Sequence, residues 1–276
     1  MRLRILLDNE RFSRVPINHH DLLAGVMYRL LGAGDADYAR FLHDEGYALG
    51  GAEAGNETDS PRRFKLFHFS TLRVPRNLRE IDGAFLEIRP GRLSWYVASP
   101  ITDFLQYGVS GLLTAGSEIH VGRTSFRLAG VEALPDPRFT GESVAFTCLT
   151  PVVAAVPSPD GRPTPYYLRP ADADAFSEAV RKNLLRKYSL IHGKAPGDDR
   201  LRLDFDPEYV ARARHGGTKK VTIHNTEIIG VQAPLTLAGS PELIQTAWDC
   251  GLGEKNSMGF GMLEIILPQD RSQARR

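Results

Sequence analysis

Proton chemistry in this chain would fall to its eight histidines and nine tyrosines, and phosphate chemistry to a glycine-rich segment near the C-terminus. Histidine is the side chain best matched to acid–base work near neutral pH. His43 lies in FLHDEG, directly before Asp44 and Glu45, and a nearby carboxylate can orient or charge an imidazole. On a helix over 36–45 the apolar side is Tyr38, Phe41 and Leu42, and His43 points roughly 130° away from it. Tyr28 is the matching exception in the segment before. Leu22, Leu23, Val26, Met27 and Leu30 recur at helical spacing, and Tyr28 falls roughly 160° from the centre of that set. Two readings stay open for each residue: a tyrosine lying against a neighbouring loop or facing a site, and a plain surface histidine or a proton carrier.

The segment Gly251-Leu252-Gly253-Glu254-Lys255-Asn256-Ser257-Met258-Gly259-Phe260-Gly261 is the strongest local signal. It lacks the Gly-Lys-Ser/Thr ending of a Walker loop, and a helix precedes it where a dinucleotide fingerprint needs a strand. Two Gly-x-Gly elements around Glu-Lys-Asn-Ser suit backbone lying close to a phosphate chain; the competing reading is a tight helix-to-strand turn. A metal site is unsupported. His19 and His20 are adjacent and face different sides of a helix, no H-E-x-x-H or H-x-x-E-H occurs, and the two cysteines, Cys148 and Cys250, cannot build a zinc site or a disulfide framework. A serine hydrolase is unsupported too, because no G-x-S-x-G elbow is present. No cofactor is implied.

These residues need elements to position them. RLRILLD (2–8) alternates like a strand. A helix over 19–31 follows, with Asn18 as its expected N-cap. A shorter helix runs from Asp35 to Gly46, and 47–62 is a Gly-rich, acidic loop. FKLFHFSTL, AFLEIRP and RLSWYVAS read as strands, the last two joined at Pro90-Gly91. Helix 101–115 and the strands of SEIHVGRTSFRLAGVEAL complete a βαββαβ order. The second half repeats it: strand 144–156, a helix from Asp172 to Gly193, strands in RLRLDF, KKVTIHN and EIIGVQAPLTLAG, a helix capped by Ser240, and the final strand GFGMLEIIL. The expected architecture is α+β, two tandem ferredoxin-like (βαββαβ) domains over 1–138 and 139–276. LPDPRFTGE marks the boundary.

At 276 residues the length fits two domains. No run approaches the ~20 apolar residues of a membrane span, and the N-terminus carries no export signal, so a cytoplasmic protein without membrane partners is expected. Lys plus Arg is 34 and Asp plus Glu 33. A net charge of +1 does not announce a nucleic-acid binder, but the distribution says more. Arg181, Lys182, Arg186 and Lys187 sit in RKNLLRKYSLIHGK, and Arg212, Arg214, Lys219 and Lys220 in ARARHGGTKK, with no acid in either stretch. Such patches can track a polyanion or can be solvated faces.

VPINHHDLLAGVMYRLL, FLHDEGY, FKLFHFSTL, FTCLTPVVA and GLGEKNSMGFGMLEI follow one another along nearly the whole chain. By them the sequence resembles the CRISPR-associated endoribonucleases that process precursor CRISPR RNA, members of the RAMP superfamily. The resemblance implies two ferredoxin-like domains and metal-independent cleavage within the CRISPR repeat. In that reaction the 2′-hydroxyl attacks the adjacent phosphate and leaves a 2′,3′-cyclic phosphate and a 5′-hydroxyl. It places His, Tyr and Lys roles on His43, Tyr28 and Lys65, with His20 and His68 in reserve. Glycine spacing and charge add Gly251, Gly253, Lys255, Asn256, Ser257, Gly259 and Gly261, and the basic patch Arg181, Lys182, Arg186 and Lys187, as expected RNA-contacting residues. The repeat RNA is the implied partner; subunits of a CRISPR effector complex and a second copy of the chain are further candidates. The competing reading is a RAMP subunit that holds repeat or guide RNA in such a complex and cuts weakly or not at all.

Overall fold

The computed structural model describes residues 1–48 and 63–266. From residue 49 the expected acidic loop lies outside the described residues, as does the last strand beyond 266. The chain separates into two compact units: Met1–Asp136 with Ser257–Gly259, and Pro137–Asn256 with the residues from Phe260.

In the first unit the strand Arg2–Asn9 runs through the middle of a five-stranded antiparallel sheet, ordered His68–Phe69, Gly91–Ala98, Arg2–Asn9, Thr124–Leu134, Glu118–Val121. Alternation explains its placement. Leu3, Ile5 and Leu7 are buried and stand opposite Val97, Trp95 and Leu93 of the neighbouring strand, so one face supplies the core. Helices α1 (His20–Gly34), α2 (Ala36–Asp44) and α3 (Thr102–Thr114) contribute to that core. The backbones of α1 and α3 cross closely because a Cβ on Gly111 would stand 1.8 Å from the Leu30 carbonyl oxygen.

The expectations differ from the structure at punctuation points. Asn18 does not cap α1. His19 takes that position, with its Nδ1 on the Pro16 oxygen (2.8 Å) and its Nε2 accepting from Leu72 N (3.1 Å). FKLFHFSTL is not one strand, because Leu66 sits at φ +52° and only His68–Phe69 pairs in the sheet. The strands either side of Pro90 do not pair with each other. Phe85–Ile88 joins a separate three-stranded sheet with Ser13–Pro16 and Arg79–Asp82.

The second unit has a four-stranded antiparallel sheet ordered Leu201–Phe205, Leu235–Gly239, Ser143–Cys148, Leu263–Ile265. Helix α4 (Ala173–His192) connects its first strand to its second, a short α5 (Pro207–Arg212) follows the second, and α6 (Pro241–Cys250) connects the third to the fourth. The Ser240 hydroxyl caps α6 by accepting from Leu243 N. Asp172 precedes α4 but its carboxylate accepts from Arg169 N rather than from the helix. The expected strand 144–156 is interrupted and re-forms only at Ala155–Val156, and EIIGVQAPLTLAG splits around Pro234 into strands of two different sheets; proline has no N–H for the ladder. In both main sheets the unit's first strand lies between the third and the last, with the second outside the third. Among the described residues no helix is long and apolar enough to cross a membrane.

Candidate active site

Three segments of the first unit bring Tyr28, His43 and Lys65 together. Asp35 starts α2, its carboxylate accepting from Tyr38 N at 2.7 Å. The helix ends where Glu45 N and Gly46 N both donate to the Phe41 oxygen (2.9 and 2.8 Å). Gly46 sits at φ +68°, and a Cβ there would lie 2.8 Å from the Phe64 oxygen and 3.2 Å from Lys65 Cδ. Glycine therefore fits twice, for the left-handed turn and for the close return of the chain. Beyond it Tyr47–Ala48 pairs with Arg63–Phe64. This ribbon sets Lys65 beside the end of α2, although twenty-odd residues separate it from His43. Leu66 then turns the chain and Phe67 enters the core.

Tyr28 projects from α1 onto the same place. Its ring meets the His43 ring edge-on, centroids 5.2 Å apart and planes at 80°, and meets Phe67 in the same way at 6.0 Å. It is half-buried, and burial pushes its phenol up to about 12. At neutral pH Tyr28 is a protonated donor. His43 is exposed, with its Nδ1 2.7 Å from Asp44 Oδ1. The hydrogen bond with His43 holds the Asp44 carboxyl below its usual range, with Lys65 and Arg40 adding to the effect.

Lys65 donates to the carbonyl oxygens of Leu42 and His43, where the negative end of the α2 dipole favours a cation. Partial burial lowers its pKa, and Arg63 adds to that while Asp44 opposes it. Strand parity puts Lys65 on the face of Phe67 and Phe69; the left-handed Leu66 breaks that parity and turns the amine toward α2 instead. The cluster thus joins an imidazole, a half-buried phenol and an ammonium, three groups able to serve an internal attack on a phosphodiester.

His20 and His68 are both buried. Burial brings the His20 pKa down to about 4, with His19 contributing, so it is neutral near pH 7. Among the described residues no group of three or more His, Cys, Asp or Glu side chains could hold a metal ion.

Gly253 and Gly261 of the glycine-rich segment face the backbone of the second unit. Gly253 (φ +70°) could carry no Cβ without approaching the Val153 oxygen to 2.3 Å, nor Gly261 (φ +73°) without approaching the Leu252 oxygen to 2.0 Å. The backbone that comes close to these glycines is the chain's own. Gly251 and Gly259 also have positive φ and are buried. Asn256 is buried and donates to the Leu252 and Phe260 oxygens, while Lys255 and Ser257 stay half-exposed.

Lys187 does not belong to a surface patch. It is buried, and its ammonium donates to Gly251 O, Gly253 O and Asn256 Oδ1 at 2.7–2.8 Å. Burial lowers its pKa to about 8. The signal that finds it is position, since Phe176, Val180, Leu184 and Tyr188 form the buried stripe of α4 and residue 187 continues it at i+7 from Val180. Arg181 is held by Glu178 and Asp199, and Lys182 lies 3.3 Å from Glu178. The acids absent from the basic stretch itself come from just before it and from the loop after α4. Arg186 is half-exposed.

Comparison with known proteins shows what the chain is similar to. Residues 134–265 match the model of the C-terminal part of the CRISPR-associated protein Cas6. The CRISPR-associated endoribonuclease Cas6 1 of Methanocaldococcus jannaschii is 27% identical over 276 residues, covering 99% of this chain and 95% of the relative. A CRISPR-associated endoribonuclease Cas6 of Pyrococcus furiosus is 24% identical over 94% of this chain and 86% of its own length. Among solved structures, the product of a Cas6-related gene from Pyrococcus furiosus superposes with a TM-score of 0.79 at 22% identity, covering 98% of this chain and 99% of that one.

Proposed function

We propose that the chain is a CRISPR-associated endoribonuclease of the Cas6 type, which it resembles over most of its length, and that it processes precursor CRISPR RNA by metal-independent cleavage within the repeat. The observation that carries this reading is the meeting of Tyr28, His43 and Lys65, which the sequence scatters over three segments. Neutral His43 takes the proton of the 2′-hydroxyl on Nε2. The 2′-oxygen bonds to phosphorus and the bond to the 5′-oxygen breaks. Tyr28 gives its proton to that leaving oxygen and recovers one from the His43 imidazolium, so the protein ends as it began. A phenol pushed up to about 12 is protonated at neutral pH and remains a stronger acid than an alcohol, so it can supply the proton. Lys65 has two partners for its three ammonium hydrogens, and the remaining positive charge faces the phosphorane.

The strand order shared by the two sheets supports tandem ferredoxin-like domains near the expected 1–138 and 139–276. Of the expected RNA-binding set, phosphate contact falls in this reading to Lys182, Arg186, Lys255 and Ser257, which are exposed or half-exposed. The experiment is single-turnover cleavage of the repeat encoded beside this gene, with and without excess EDTA, followed by analysis of the new ends. The reading requires equal rates and a 2′,3′-cyclic phosphate. Strict dependence on a divalent ion refutes the mechanism, and tight binding without cleavage points to the RNA-holding alternative.

A further inference from the structure

We infer that Asp44 is a positioning residue for cleavage: its carboxylate fixes the His43 imidazole in the one tautomer that leaves Nε2 free to accept a proton. The inference rests on the reading of His43 as the proton carrier. Asp44 Oδ1 lies 2.7 Å from His43 Nδ1. A carboxylate held below its usual range is ionised at neutral pH, and an ionised carboxylate only accepts hydrogen bonds. The shared hydrogen must therefore sit on Nδ1. A neutral imidazole has a single ring proton, so Nε2 keeps its lone pair.

The surroundings keep Asp44 ionised. Lys65 and Arg40 act on its carboxylate electrostatically, Arg63 donates to its backbone oxygen at 3.3 Å, and the phenol of Tyr28, the group facing His43 from α1, carries no charge at neutral pH. Neighbouring residues in a helix diverge by roughly 100° and rarely face each other; this pair meets in the last turn of α2, next to Gly46. The side chains are 68% and 60% exposed, and a pair this wet adds little to stability. Its consequence is the placement of a proton and the orientation of a ring.

The test compares Asp44→Ala and Asp44→Glu with the unmodified chain in three measurements: single-turnover cleavage of the repeat RNA, repeat affinity, and ¹⁵N NMR of imidazole-labelled protein at alkaline pH. The His43 signals are assigned by their loss in His43→Ala. In the unmodified chain His43 shows the Nδ1–H pattern. Asp44→Ala shifts it toward Nε2–H and slows cleavage about tenfold or more while affinity stays unchanged. Asp44→Glu restores part of the rate and the Nδ1–H pattern. An Nε2–H pattern in the unmodified chain, an unchanged pattern in Asp44→Ala, or cleavage by Asp44→Ala at the original rate overturns the inference. Undiminished cleavage by His43→Ala overturns the underlying reading instead, whatever Asp44 does.

Discussion

Lys65 and Lys187 each donate to main-chain oxygens, Lys65 to those of Leu42 and His43 and Lys187 to those of Gly251 and Gly253. Lys65 does so at the open end of a helix, beside an exposed histidine. Lys187 is buried with three neutral acceptors around it, the third being the Asn256 amide oxygen. Partial burial leaves Lys65 one ammonium hydrogen beyond those it gives to its two carbonyl acceptors. Complete burial makes Lys187 the internal anchor of the glycine-rich loop. A lysine next to glycines therefore does not by itself define a phosphate cradle; what decides is whether the backbone around it faces outward or meets its own chain.

Substitutions in the two regions should separate chemistry from architecture. The largest effect belongs to His43→Ala, which should lower the single-turnover rate about 10²–10⁴-fold and leave repeat affinity unchanged. Lys187→Met should do the reverse. It strands buried acceptors at a cost of about 2–4 kcal/mol, read as a lower thermal midpoint, with the cleavage rate of the folded fraction preserved. Its pH dependence has a fixed sign. The Lys187 amine loses its proton near pH 8 when folded and near 10.5 when unfolded. Below pH 8 both states hold the proton and the burial cost is constant. Between the two values the unfolded chain binds more protons, so the stability of the unmodified chain relative to Lys187→Met should rise with pH, by on the order of 3 kcal/mol. A flat difference across that window would remove Lys187 from the buried cage.

Gly261→Ala should destabilise by about 1–3 kcal/mol, because it forces a side chain into a left-handed backbone and toward the Leu252 oxygen. Thermal unfolding measures this, and lost RNA affinity at an unchanged midpoint would restore the phosphate reading of the loop. The smallest effects lie on α4. Arg186→Ala should flatten the log–log salt dependence of RNA binding by at most roughly 0.7 for one lost contact. Arg181→Ala should change it less, since Glu178 and Asp199 already hold that guanidinium.

Helical periodicity carries His43 well, exposed at the end of a helix that forms close to where the pattern places it, and Tyr28 less well, since its ring packs on Phe67 at the edge of the core. The sheet cores are legible for the same reason: Leu3, Ile5 and Leu7 alternate and are buried. Lys65 is legible only through the family resemblance, since a single left-handed residue, Leu66, cancels the strand parity read from sequence. Lys187 shows the converse. Its charge argues for the surface, while its place on the α4 stripe and three well-placed acceptors keep it inside. Glycine patterns share this ambiguity, because a close approach by a ligand and a close approach by the chain itself require the same residue.

Whether Tyr28 and His43 work as one catalytic unit is settled most directly by a double-mutant cycle on cleavage. Tyr28→Phe, His43→Ala and the double variant would be compared in single-turnover reactions on the repeat RNA, with affinity measured in parallel. Residues that share one proton cycle give grossly non-additive losses. The double variant should cleave only slightly more slowly than His43→Ala alone, with affinity unchanged throughout. Losses that multiply independently, or a His43→Ala rate close to that of the unmodified chain, would contradict the account.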